Sequence, residues 1–238
     1  MAYKSRYLAN TQIAEEIDIA RGAVIGTSTV NKFGYNSAVG TSYETVWDGN
    51  NLYTYISTAG TATVTSSNSA LDDGGTVQVF GLNAAYEEVN ETLTIGGSAG
   101  SVSFYRVFRA TLLTANTGTS NVGNVTVTVD SQSAAIINAE YGQTLMALYT
   151  VPVNKSAYML QLDAGSSKDL ENELIMVTRN GDGAAFNTKE FLTFRGGFLE
   201  KDFKIPLLIP EKHDIEIRVK SSATSAVSAG FELILVDN

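Results

Sequence analysis

The sequence predicts an all-β fold, an antiparallel β-sandwich or barrel carrying a short N-terminal arm. Three observations predict it. Apolar and polar residues alternate with period two from Ala23 onward, as in Val77-Gln78-Val79, Leu93-Thr94-Ile95 and the run Asn124 to Asp130. Clusters of turn-forming residues separate these runs: Asp48-Gly49-Asn50-Asn51, Asp72-Asp73-Gly74-Gly75, Gly96-Gly97, Asn180-Gly181-Asp182-Gly183 and Gly196-Gly197. The runs themselves are rich in Thr, Val, Tyr and Ile, which fit a pleated, half-buried surface.

Residues 1–21 break this pattern and form the expected docking arm. Tyr3, Lys4, Arg6 and Tyr7 make a basic, aromatic tip. Ile13, Ile17 and Ala20 fall at i, i+4 and i+7, the spacing of one helical face, with Asn10 or Thr11 as cap and Gly22 as stop. A helix of about 11 residues is marginal alone. The segment therefore needs a partner surface or stays an extended arm. The expected docking residues are Tyr3, Lys4, Arg6, Tyr7, Ile13 and Ile17, with Trp47 as a contact on the β body.

Residues 22–57 read as short strands broken by Gly and Asn, and residues 22–113 form the first expected β domain. A polar stretch, Thr114 to Gly123, marks a seam, with five or six strands before it and about eight after. Eight antiparallel strands suit a jelly roll, so residues 114–238 are expected to be jelly-roll-like. The later runs are Leu145–Val151, Ala157–Leu162, Glu173–Thr178, Phe191–Phe194, Ile215–Val219 and Phe231–Val236. The three prolines, Pro152, Pro206 and Pro210, all follow the seam and mark strand ends or edges.

Composition narrows the function. The chain has 238 residues, 44% of them hydrophobic, which allows a sizeable core. A formal net charge of -9 argues against nonspecific nucleic-acid binding. The absence of cysteine excludes disulfides, thiolate metal sites and cysteine nucleophiles. No apolar run has the length of a signal peptide or of a membrane helix. An outer-membrane barrel would also alternate, but the aromatics do not recur in paired girdles. The expectation is therefore assembly in a cytoplasm and no membrane partner.

No catalytic constellation emerges. The single histidine, His213, adjoins Asp214, but neighbours on a strand point to opposite faces and cannot make a triad. The one Gly-x-Ser-x-Gly run, Gly96 to Gly100, lies between strand runs rather than before a helix, so no nucleophile elbow is present. The acid pairs Glu15-Glu16, Asp72-Asp73 and Glu87-Glu88 fit glycoside hydrolysis only if buried. The Asp72 and Asn180 turns offer oxygens to calcium but lack the EF-hand spacing. Tyr43, Trp47, Tyr53 and Tyr55 form an aromatic group that stacks on sugars or fills a core or subunit interface. The chain is expected to be no enzyme, with no cofactor and no metal.

The run Val30-Asn31-Lys32-Phe33-Gly34-Tyr35-Asn36, followed by Glu44-Thr45-Val46-Trp47-Asp48-Gly49, resembles virion structural proteins of tailed bacteriophages, especially phages of marine bacteria. Ser66 to Ser69, Asp72 to Gly75, Gly81-Leu82-Asn83, Glu91-Thr92-Leu93, Arg106 to Ala110 and Tyr149 to Pro152 fit the same family in the same order. The resemblance implies a particle component located in the virion. Its leading form is a capsid decoration (cement) protein, a homotrimer by analogy, bound to the major capsid protein or other virion proteins. The alternatives are a tail, collar or fibre-attachment component, or a carbohydrate-binding host-attachment module.

Overall fold

A computed structural model describes residues 17–181 and 183–238. The fold is all-β. After the helical residues 17–20, fifteen strands and a further short helix follow in chain order among the described residues. They are β1 (Thr27–Val39), β2 (Glu44–Thr45), β3 (Gly60–Thr61), β4 (Thr63–Ser66), α1 (Ser69–Asp72), β5 (Thr76–Leu82), β6 (Glu88–Thr94), β7 (Ser103–Phe104), β8 (Arg106–Thr114), β9 (Val125–Val129), β10 (Gln132–Ile137), β11 (Leu148–Thr150), β12 (Lys155–Asn180), β13 (Asn187–Ile209), β14 (His213–Ser221) and β15 (Ser225–Asp237).

The main sheet runs β1-β15-β12-β14-β11, with β13 on β12 and β2 on β14. Smaller sheets are β10-β9-β4, β6-β5-β8 and β3-β7. Every pairing is antiparallel. Strand β12 organises the main sheet. On one edge its residues 155–166 pair with β15 and its residues 172–180 pair with β14. Its other edge carries β13.

Two cores form, and they do not divide at the expected seam. The first gathers Met159, Leu162, Leu174, Met176, Ile215, Ile217, Phe231 and Leu233, with Val39 and Val46 from the start of the chain. The second gathers Ile56, Val64, Val77, Val79, Phe104 and Val107, with Val125, Val127 and Ile137 from beyond residue 114. Strand β9 pairs with β4 across the seam, and β1 pairs with β15. The stretch Thr114 to Gly123 therefore lies inside the second unit, with Thr114 ending β8 and residues 115–123 forming a loop. The segment 114–238 also holds seven strands, two of them longer than 20 residues, rather than the eight short strands on which the jelly-roll expectation rested.

Strand β1 is a single 13-residue strand where Gly and Asn suggested breaks. Gly34 explains why it continues. A Cβ there would lie 2.1 Å from the Val46 carbonyl oxygen and 2.4 Å from the Ala147 amide nitrogen. Only glycine lets these backbones approach so closely. At the start of the description, residues 17–20 are helical, and Gly22 (φ +74°) ends the turn with its N–H on the Ile19 carbonyl.

Candidate functional site: a buried ion clamp and an uncovered hairpin edge

Asp214 sits at the junction of the two cores. It is the second residue of β14 and is fully buried. Its carboxylate accepts from Arg106 Nε (2.8 Å), Arg106 Nη2 (3.1 Å), Arg179 Nε (2.9 Å) and Thr150 Oγ1 (2.6 Å). Arg106 comes from β8, whose neighbours Val107 and Ala110 belong to the second core. The pair therefore ties one core to the other. Arg106 also donates to the carbonyls of Tyr105 and Gly181 and lies over the Tyr105 ring at 4.3 Å. Burial alone would lower the affinity of its guanidinium for a proton, but the bonds to Asp214 hold it above arginine's ordinary range.

A second carboxylate extends the clamp. Glu216 is fully buried, takes two bonds from Arg218 (2.9 Å each), and accepts from Thr45 Oγ1 and Tyr55 Oη. Burial, then the Glu216 and Asp214 charges, push the Tyr55 phenol well above its usual range. The Arg179 and Arg218 guanidiniums lie on the Phe186 ring at 4.5 and 4.3 Å. The cluster holds arginines, carboxylates and phenols, a composition suited to locking the two halves together. Among the described residues, no three His, Cys, Asp or Glu side chains converge as a metal site.

The second feature is the β12–β13 hairpin. Both strands exceed 20 residues, and the outer edge of β13 pairs with no described strand. Leu192, Phe194, Phe203 and Leu207 pack partly buried on the first core. Phe191, Phe198, Ile205 and Leu208 stand out, exposed by 52%, 69%, 85% and 53%. An ion pair from Lys201 to Glu190 (2.6 Å) and another from Arg195 to Asp169 (3.1 Å) run along the hairpin. Gly196 and Gly197, expected as a turn, are instead a bulge within β13. Both have positive φ, and residues 167–170 bow out opposite them.

Of the expected docking residues, Tyr3, Lys4, Arg6, Tyr7 and Ile13 lie outside the described residues. Ile17 is exposed by 55%. Its neighbours Ile19 and Ala20 line a groove with Phe203, Lys204 and Pro206, so the described chain begins beside β13. Trp47, expected as a docking contact, is buried instead. It is only 6% exposed, its ring meets Tyr53 edge-on at 5.0 Å, and its Nε1 donates to the Asn50 carbonyl at 2.7 Å. Tyr53 Oη donates to the Ala134 carbonyl. This part of the aromatic group fills a core, and Trp47 offers no docking face.

His213 Nδ1 contacts the Glu211 carbonyl at 2.9 Å, while the adjacent Asp214 engages the two arginines, as alternation requires. Asp72 is buried at a turn. Burial would raise its carboxyl, but bonds from Ser66 Oγ and from the Val122 and Gly123 N–H groups win and hold it below its ordinary range. It pins the 115–123 loop to α1.

Sequence reading missed the clamp. Its signal was present in Asp214, Glu216 and Arg218, which recur with period two between Ile and Val and so fall on one face of a strand buried on both sides.

No family model and no curated protein matches the chain. Among solved structures, one titled "Structure of infectious bursal disease virus Gx strain" is 11% identical with a TM-score of 0.26, over 89% of this chain and 72% of that one.

Proposed function

We propose that this chain is a structural component of a tailed-phage virion, most specifically a capsid decoration protein whose copies associate with one another on the shell. The observation that carries the reading is the uncovered edge of β13. Exposed apolar edges favour pairing with other chains, and proteins that remain monomeric usually blunt them. At about 3.3 Å per residue the edge runs about 75 Å, and a strip about 10 Å wide would bury about 750 Å² per partner, close to a standard interface. The sequence resemblance supplies the particle. The clamp supports a mechanical role, because a rigid two-core body transmits load without an active centre.

On this reading the partners are sister copies and the major capsid protein, with no nucleic acid or membrane contact and no catalysis. A contact of β13 with a different surface of the next copy closes into a ring, and a trimer is the expected size. Residues 1–21 are the anchor to the shell.

Multi-angle light scattering of the purified chain, followed by rebinding to particles stripped of the native copy, tests this. The expected results are a mass near three times 25.4 kDa and saturable rebinding that a chain lacking residues 2–21 has lost. A monomer that ignores stripped heads but binds stripped tails would move the protein to the tail. Failure to bind any part of the particle would overturn the reading.

A further inference from the structure

Strand β1 is an edge of the main sheet, and it runs past β8 of the β6-β5-β8 sheet without a ladder between them. Two cationic side chains cross the gap in opposite directions. Lys32 Nζ donates to the Phe108 carbonyl, and Arg109 Nη2 donates to the Asn31 carbonyl at 2.9 Å. A groove of about 260 Å³ opens along this gap, lined by Lys32, Phe80, Glu88, Phe108, Arg109 and Tyr149 among others.

Lys32 is unusual in this position. It is only 3% exposed, yet among the described residues it has no carboxylate within ion-pair distance. An ammonium carries three N–H donors, and Lys32 uses one on a described residue. Burying a cation without a counter-charge is costly. That burial, reinforced by the Arg109 charge, holds the Lys32 ammonium well below lysine's ordinary range. Tyr149, in the same lining, makes no hydrogen bond through its hydroxyl to any described residue.

We propose that this groove is a binding site for a small carboxylate anion, held between Lys32 Nζ and the Arg109 guanidinium with the Tyr149 hydroxyl as a further donor. None of the three is ion-paired or hydrogen-bonded to a described carboxylate, and together they present what a carboxylate's two oxygens accept. Glu88 on the same lining carries the like charge, so the two cations together must outweigh it for an anion to enter. The site is independent of the assembly surface on β13.

The test is an amide chemical-shift titration of the full chain with sodium acetate at neutral pH, ionic strength being held constant with sodium chloride. Parallel titrations use inorganic phosphate, and both are repeated with Lys32→Met and Arg109→Gln. The expected result is saturable shifts at residues 31–33 and 108–110 with acetate, weaker ones with phosphate, and an affinity lowered about tenfold or more in either variant. Methionine preserves the length and apolar stem of Lys32, and Arg109→Gln is the second arm should Lys32→Met fail to fold. Absence of saturating shifts, equal shifts when chloride alone is varied, or undiminished acetate binding in a folded variant would overturn the proposal.

Discussion

Replacing Asp214 by Asn tests the clamp with the smallest change of shape. The carboxylate accepts four bonds from Arg106, Arg179 and Thr150 and is fully buried. Asparagine keeps the volume but removes the charge and turns one acceptor into a donor facing a guanidinium. Arg106, 3% exposed, is then left as a buried cation without its counter-ion. Breaking a buried pair in this way costs about 3–5 kcal/mol. For a chain of this size that lowers Tm by about 6–20 °C. Urea unfolding followed by fluorescence reads it, since Trp47 is the sole tryptophan and is buried. A loss below about 1 kcal/mol, the size of a surface pair, would refute the clamp as the tie between the cores. A double change, Arg106→Met with Asp214→Leu, should recover only part of the loss, because it removes the desolvation cost of Arg106 but leaves Arg179 and the Thr150 hydroxyl without their acceptor.

Three further outcomes follow from particular residues. Gly34→Ala should destabilise by about 2–4 kcal/mol, because its Cβ would strike the Val46 carbonyl and the Ala147 amide, which are bonded to each other and cannot both retreat; calorimetry checks this. Asp48 is buried, which pushes its carboxyl up to about 7 against the opposing bond from the Leu145 N–H, so the folded state holds a proton that the unfolded chain releases near pH 4. Its contribution to stability should therefore fall as pH rises from about 4 to about 7 and level off above, and urea midpoints for Asp48→Asn should lack that slope. Phe198→Ser with Ile205→Ser should leave the fold intact, since both side chains are exposed, but lower the mass seen by light scattering.

Alternation made the fold class legible. The runs Asn124 to Asp130, Ile215–Val219 and Phe231–Val236, which period two marks as strands, coincide with β9, β14 and β15. Strand length was not legible. Gly165 to Asn172 and Gly196-Gly197 carry the composition of turns, yet they lie inside β12 and β13 as paired bulges, because two neighbouring strands hold β12 in register on either side of the break. The seam misled for a related reason. Local polarity marks a loop, but only long-range pairing, here β4 with β9, decides which core a segment joins. Trp47 and Tyr53 read as core or interface ahead of sugar platform, but core and interface stayed undivided. The choice depended on Asn50 and Ala134 supplying carbonyls to their polar atoms, which spacing alone does not reveal. The β13 edge escaped notice because exposure of Phe191, Phe198 and Ile205 is a property of what does not pair beside them.

A cryo-EM map of the intact phage particle tests the central claim most directly. The account predicts density for this chain on the outside of the head, in closed rings, with residues 187–209 covered by a neighbouring copy. Particles that lack the chain, or that display it with the whole of β13 open to solvent, would contradict it.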